Sequence, residues 1–171
     1  MLVLHVDVLS NSAVTANPSD RCYHCKNTLF RQILRAAEND GFPVLLDGTN
    51  ASDDAGDRPG MRALRELSVR SPLRECGLTK AEIRRLSKEA GLFTWDKPAY
   101  ACLATRIRTG EEITLQKLKQ TEKAEGFLFG LGFRDFRVRM VGNTAKLELR
   151  EADLPLLLEN REKIVTELRK D

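Results

Sequence analysis

The chain has 171 residues, 42% of them apolar, with 28 basic and 25 acidic side chains giving a formal charge of +3, and four cysteines. This composition argues against disorder, and no run approaches the roughly 20 apolar residues that a helix needs to cross a bilayer. The mildly basic, evenly spread charge favours a phosphorylated small ligand over a large nucleic-acid footprint.

Leu2 to Val8 is rich in Val and Leu and reads as a buried strand, too soon interrupted for a signal-peptide core; a loop through Ser10, Asn11, Ser12, Asn17 and Pro18 follows. The expected compartment is therefore the cytoplasm, where cysteines serve as metal ligands, catalytic groups or buried thiols rather than disulfides. Asp20 stands as the cap of a helix over Arg21 to Asp40, with Leu29, Ile33, Leu34 and Ala37 at helical spacing and Gly41 as its stop. Pro43 to Asp47 is a short apolar run opening into Gly48-Thr49-Asn50, the pattern of a parallel strand feeding a loop. Ligands of such sheets bind beyond the carboxyl ends of the strands, which makes the loop from Gly48 to Pro59 a candidate site.

A short helix is expected from Gly60 to Leu67, and Val69 to Leu73 returns to the sheet edge. Thr79 and Glu82 form a capping box for a helix with Ile83 and Leu86 on its apolar face, ended by Gly91. The segment Phe93 to Gly110 has no clean period. A helix from Leu115 to Leu131 stops at Gly132, with Leu118, Phe127, Leu128 and Leu131 facing inward. Phe136, Val138 and Met140 alternate with Arg137 and Arg139, and Ala145, Leu147 and Leu149 with Lys146 and Glu148, so two strands should meet across Gly142-Asn143. A last helix is expected from Leu154 to Lys170. The fold class is α/β, with a boundary near Thr109 between part of an α/β domain (1–109) and a small α-β-β-α domain (110–171).

Cys22 and Cys25 lie in Asp20-Arg21-Cys22-Tyr23-His24-Cys25-Lys26, and Cys102 follows far downstream in Pro98-Ala99-Tyr100-Ala101-Cys102-Leu103-Ala104-Thr105-Arg106. Two intervening residues let both sulfurs of the pair face one metal or cluster, and thiolates select zinc, copper(I) or iron–sulfur clusters. Three cysteines leave one coordination position open. The same residues are also compatible with buried small hydrophobes, with zinc completed by His24 or His5, and with a catalytic cysteine beside a pair. Lys97, Arg106 and Arg108 surround Cys102 in sequence, and cationic neighbours make a thiol more reactive; a plain loop cysteine among solvated basic residues fits as well. Cys76, just before the capped helix, reads as structural filling.

Gly48-Thr49-Asn50-Ala51-Ser52-Asp53-Asp54 offers backbone N–H groups, a hydroxyl and two carboxylates, a set suited to nucleotide phosphates with magnesium and equally to an Asx-rich turn. Arg58 and Arg62 can pair bidentately with phosphate or carboxylate. Arg137 and Arg139, with Glu148 on the neighbouring strand, form either a substrate platform or a solvated face with a cross-strand ion pair.

Taken together, Asn17-Pro18-x-Asp20-Arg21-Cys22-Tyr23-x-Cys25-Lys26, Asp47-Gly48-Thr49-Asn50-x-x-Asp53-Asp54, Arg58-Pro59-Gly60, Ser71-Pro72-Leu73, Trp95-Asp96-Lys97-Pro98-Ala99 and Ala101-Cys102-Leu103-Ala104-Thr105-Arg106 resemble the LarE family. These are ATP-dependent sulfur transferases of the PP-loop ATP pyrophosphatase superfamily. The resemblance implies a partial Rossmann-like, adenine nucleotide alpha hydrolase-like PP-loop domain before the small domain. It implies a chemistry in which ATP, with Mg, adenylates a carboxylate of a pyridinium mononucleotide and a sulfur then attacks the activated carbonyl, toward a nickel-pincer cofactor.

In that family Cys102 matches the sulfur-bearing catalytic position, and Cys22, Cys25 and Cys102 match the three ligands of a [4Fe-4S] cluster in the members that use one. With all three present, the cluster version is the expectation over a sacrificial cysteine. Asn50 and Asp54 match positions near ATP, while Arg106, Arg137 and Arg139 match candidates for the anionic substrate or phosphate. Thr105 stands where the family usually has Ser. The family's Ser-Gly-Gly-x-Asp-Ser pyrophosphate loop and the last strand of its small domain are not found in the chain, so self-association or a partner supplying that loop is expected. Two other readings stand beside this one: a tRNA thiolation enzyme of the same superfamily, and a non-catalytic iron–sulfur subunit of a split enzyme.

Overall fold

Backbone groups must find partners within the chain or in water, and here helices satisfy most of them. The computed structural model describes residues 2–53, 58–142 and 144–170. It is a mixed α/β protein whose chain divides into two units, one comprising Met1–Val14 and Pro18–Lys97, the other Thr15–Asn17 and Pro98–Asp171. The boundary expected near Thr109 thus falls inside the second unit. No helix among the described residues is long and apolar enough to cross a membrane.

In the first unit, a single helical turn α1 (Ser12–Thr15) begins in the expected loop and runs into the second unit at Thr15. Helix α2 (Arg21–Asn39) follows, and its exit bends through Gly41 at φ 81°, where the Phe42 N–H reaches back to the Ala37 carbonyl at 2.8 Å. Asp20 does precede the helix, but its side chain makes no cap hydrogen bond; it pairs instead with His24 at 3.4 Å.

Helix α3 (Pro59–Glu66) packs on α2 with Gly60, Ala63 and Leu64 buried. Gly60 is what the approach requires, because a Cβ there would meet Lys26 Cδ at 3.2 Å and Cys22 Cβ at 3.6 Å. The Tyr23 hydroxyl donates to Glu66 at 2.6 Å, and the Arg62 guanidinium lies 3.9 Å from the Tyr23 ring centroid.

Two strands expected in this unit do not form ladders. Leu2 to Val8 is extended and unpaired among the described residues, with Leu2 and Val3 more than 60% exposed. Pro43 to Asp47 is reduced to one parallel bridge, Leu46 with Arg70, in which the Asp47 N–H donates to the Arg70 carbonyl at 2.9 Å. Apolar sequence alone does not make a strand; a ladder partner does. Pro72 nucleates a turn not anticipated from the sequence, α4 (Pro72–Glu75). The capping box at Thr79 is present in both directions and starts α5 (Lys80–Glu89).

The second unit holds most of the core. Helix α6 (Leu115–Gly130) lies against the antiparallel hairpin β1 (Phe136–Val141) and β2 (Thr144–Leu149), whose register runs from Phe136 opposite Leu149 to Val141 opposite Thr144. Leu128, Phe133, Phe136, Val138 and Ile164 are buried together, each worth about 1.5–3 kcal/mol of hydrophobic stabilisation. The expected last helix is divided into α7 (Leu154–Glu159) and α8 (Arg161–Leu168). At the break, the Asn160 side chain and backbone N–H both bond the Leu156 carbonyl, a competition that interrupts a helix.

Candidate functional site

Cys22 and Cys25 occupy the first turn of α2; Cys22 is exposed, Cys25 is partly buried, and no disulfide forms among the described residues. Arg21 brings its guanidinium to 3.7 Å from the Cys22 sulfur. Lys26, one turn along from Cys22, is near enough to Asp47 for its charge to favour the Asp47 carboxylate.

Asp47 anchors the strand-end loop. It accepts the Ser71 hydroxyl at 2.6 Å, the Thr49 hydroxyl at 2.5 Å and the Thr49 N–H at 3.2 Å. Burial pushes its carboxyl up, but those hydrogen bonds and the Lys26 charge win, and it sits below the usual carboxylate range. The parallel bridge at Leu46 and Arg70 is what places Asp47 beside Ser71, at the carboxyl ends of two neighbouring segments.

Asn50 makes an Asx-type turn: its side-chain oxygen accepts the Ser52 N–H at 3.0 Å, and its own N–H donates to Asp53 at 2.9 Å. The loop is pinned from outside by the Ala51 N–H on the Leu78 carbonyl and by the Lys80 N–H on the Ser52 hydroxyl. Asp54 lies outside the described residues. Arg62 turns to Tyr23 and to Glu66 at 3.6 Å.

In the second unit, Cys102 is exposed and opens the 3-10 turn Leu103–Arg106. Its carbonyl accepts both the N–H of Thr105 at 2.9 Å and the Thr105 hydroxyl at 2.7 Å. Arg106 points inward and is 1% exposed. Its Nε and Nη2 donate to the two carboxylate oxygens of Glu125 at 2.6 and 3.1 Å, and its Nη1 donates to the Thr105 hydroxyl at 2.8 Å.

Glu125 also accepts the Tyr100 hydroxyl and the Val138 N–H. Burial pushes its carboxyl up, yet Arg106, Tyr100 and the Val138 amide together hold it below the usual range. Burial and the neighbouring carboxylate push the Tyr100 phenol up to about 12. Asn17, buried at φ 52°, donates its amide to the Arg108 carbonyl at 2.8 Å and the Glu111 carbonyl at 3.1 Å, tying down the chain after the turn.

Arg137 and Arg139 share a face of β1. Arg139 is engaged by Glu148 at 2.7 Å and donates to the Thr105 carbonyl at 2.8 Å, while Arg137 pairs with Asp135 only at 3.7 Å. A cavity of about 480 Å³ bounded by Lys117, Thr121, Val138, Met140 and Leu168 takes the alternate residues of β1 and so lies on the other side of the strand from the arginines.

Three residues central to this arrangement escaped sequence reading: Glu125, Tyr100 and Lys26. The signal for Glu125 was an acidic residue on the same helical stripe as Thr121 and Leu128, all three buried. Among the described residues no three His, Cys, Asp or Glu side chains gather into a metal-binding group.

The geometry defines a mixed α/β protein in two units that displays cysteine thiols from a helix turn in one and from a braced 3-10 turn in the other. No protein-family model matches the chain. It is 41% identical over 147 residues to an uncharacterised protein of Synechocystis sp. and 33% identical over 162 residues to an uncharacterised protein of Methanocaldococcus jannaschii. It is also 34% identical over 147 residues to the pyridinium-3,5-bisthiocarboxylic acid mononucleotide synthase of Lactiplantibacillus plantarum.

These matches cover 86%, 95% and 86% of this chain, respectively. The chain in turn spans 55%, 63% and 53% of those three relatives, little more than half of their length. Over the residues it shares with them, the chain belongs to the LarE family.

Proposed function

We propose that this chain carries the sulfur-handling part of an ATP-dependent sulfur transferase that thiolates an adenylated carboxylate of a pyridinium mononucleotide. The observation that carries the reading is the exposed Cys102 on a turn braced from beneath by Arg106 and Glu125. The named relative from L. plantarum supports the substrate class. A carboxylate is a poor electrophile until adenylation supplies a leaving group; a sulfur nucleophile then forms the new C–S bond as AMP departs with the C–O electron pair.

The first unit is read as part of a Rossmann-like PP-loop domain, with the Asp47-Thr49-Asn50 loop and Asp54 on the nucleotide side and magnesium bound with ATP. Arg137, weakly paired at 3.7 Å and only partly buried, is the more available of the two strand arginines for an anionic substrate, and Arg139 backs it from the Thr105 carbonyl. The donor chemistry of Cys22, Cys25 and Cys102 fits a [4Fe-4S] cluster: three thiols, two of them on one helical turn and separated by two residues. These three side chains would hold it, and when bound it would supply the sulfur atom delivered to the activated carbonyl.

Anaerobic reconstitution with iron and sulfide tests this directly. The expected product is a brown protein with about four irons per chain and the broad visible absorption of such clusters. Cys22→Ser or Cys102→Ser should lower the iron content. Colourless protein in which neither substitution changes bound iron removes the cluster and leaves a sacrificial Cys102, which a mass loss of one sulfur after turnover would reveal.

A further inference from the structure

Cys102 is exposed, yet the residues on both sides of it are not free to move. Tyr100, two positions earlier, and Arg106, four positions later, end on the same carboxylate. That carboxylate belongs to Glu125 on α6, and its remaining capacity is taken by the Val138 N–H of β1 at 2.9 Å. Four hydrogen bonds from three segments therefore converge on two oxygens, with the Arg106 and Glu125 side chains both 0% exposed. From the strand side, Arg139 holds the Thr105 carbonyl, and Glu148 holds Arg139.

Stability does not by itself explain this pair. Taking two charges out of water costs about what their attraction returns, and well-packed apolar side chains of the same volume do as well or better. A carboxylate does what methyl groups cannot: it fixes the direction of every donor that meets it. The Arg106 guanidinium also lies 5.3 Å from the Tyr100 ring centroid, and that ring packs on Phe129 at 5.7 Å. The segment from Tyr100 to Arg106 is thus held at both ends against the core while Cys102, between them, faces water.

We propose that Glu125 is a positioning residue: by gripping Tyr100 and Arg106 on either side of Cys102 it fixes the turn that presents the thiol. This rests on the reading of Cys102 as the sulfur-handling residue. It also gives Arg106 a holding role rather than a direct contact with the substrate anion, since its guanidinium is buried and engaged by Glu125 and Thr105.

The test uses the full chain with Cys22, Cys25 and Cys76 replaced by Ser, so that Cys102 alone reacts with an aromatic disulfide reagent. Into it goes the pair Arg106→Met and Glu125→Met, which removes the charges together and keeps the volume. The expected result is a folded protein with near-parental melting, amide exchange at residues 103–107 faster by about tenfold or more, unchanged exchange across β1 and β2, and a Cys102 reaction rate altered by a similar factor.

Exchange and thiol reactivity within about twofold of the parent, in a folded double variant, overturn the proposal. Should the double variant fail to fold, Glu125→Gln serves the same comparison, because it keeps the shape and weakens only the grip on Arg106. The underlying reading is tested apart from this. Sulfur transfer that survives Cys102→Ser defeats the role of Cys102 while leaving the exchange result to stand or fall alone.

Discussion

Cys22 rides the first turn of α2, a helix with no buried residue, while Cys102 sits on a short turn flanked by a buried arginine and backed by a buried glutamate. The first region gets its order locally: a long helix closes its own backbone hydrogen bonds, and a glycine lets α3 approach the thiol-bearing face. The second gets its order at a distance, from a carboxylate 19 residues away in sequence and a strand beyond it. A thiol on a self-supporting helix tolerates change around it, whereas a thiol on a four-residue turn keeps its place only through what lies underneath.

The comparison breaks most visibly at Glu125. Glu125→Ala leaves Arg106 buried without its partner and should cost about 3–5 kcal/mol in urea unfolding, whereas Cys22→Ala should leave the midpoint nearly unchanged. Equal effects at the two sites would end the distinction. Next in size is Ser71→Ala, which removes the 2.6 Å hydrogen bond to Asp47 and should cost about 1.5–3 kcal/mol at neutral pH, a bond to a charged group.

Asp47 also gives this loop a pH signature. Its folded carboxyl is held below its unfolded value, so its contribution is fully present above about pH 4 and is lost as pH falls through the lowered folded pKa. Ser71→Ala should therefore move the start of acid unfolding to higher pH, and an acid limb that does not shift would remove Asp47 from the account. Thr79→Ala follows, at about 1 kcal/mol, because it deletes both bonds of the capping box; chemical denaturation of the first unit reads it.

The smallest effect is spectroscopic. Tyr100 titrates near 12 in the folded chain, above the ordinary phenol, so its contribution is intact below about pH 10 and declines as pH rises between the two values. Phenolate absorbance should show Tyr100 moving down toward pH 10 in Glu125→Gln. A titration that stays put would mean Glu125 does not govern the Cys102 segment.

Much of the local structure was readable in advance. The Thr79 and Glu82 pair, the glycines at 41, 91 and 132 and the alternation from Phe136 to Leu149 each encode their outcome within a few residues. The first-unit strands were legible as apolar runs and failed as strands, since a ladder needs a neighbour that the pattern cannot name. In the candidate site, the thiols and the Asp47-Thr49-Asn50 loop could be picked out by residue type. The part played by Arg106 could not, because an arginine near a cysteine looks the same whether it faces a substrate or a buried glutamate.

The sequence by itself determined which residues carry chemistry: three cysteines at positions 22, 25 and 102, a strand-end loop rich in hydroxyls and carboxylates, and arginines paired along one strand. Only the tertiary structure decided which of them are locked and which are offered. Arg106 became part of the frame and Cys102 its exposed edge, because a guanidinium can leave water only where a carboxylate from elsewhere in the fold meets it, and that meeting is a property of packing.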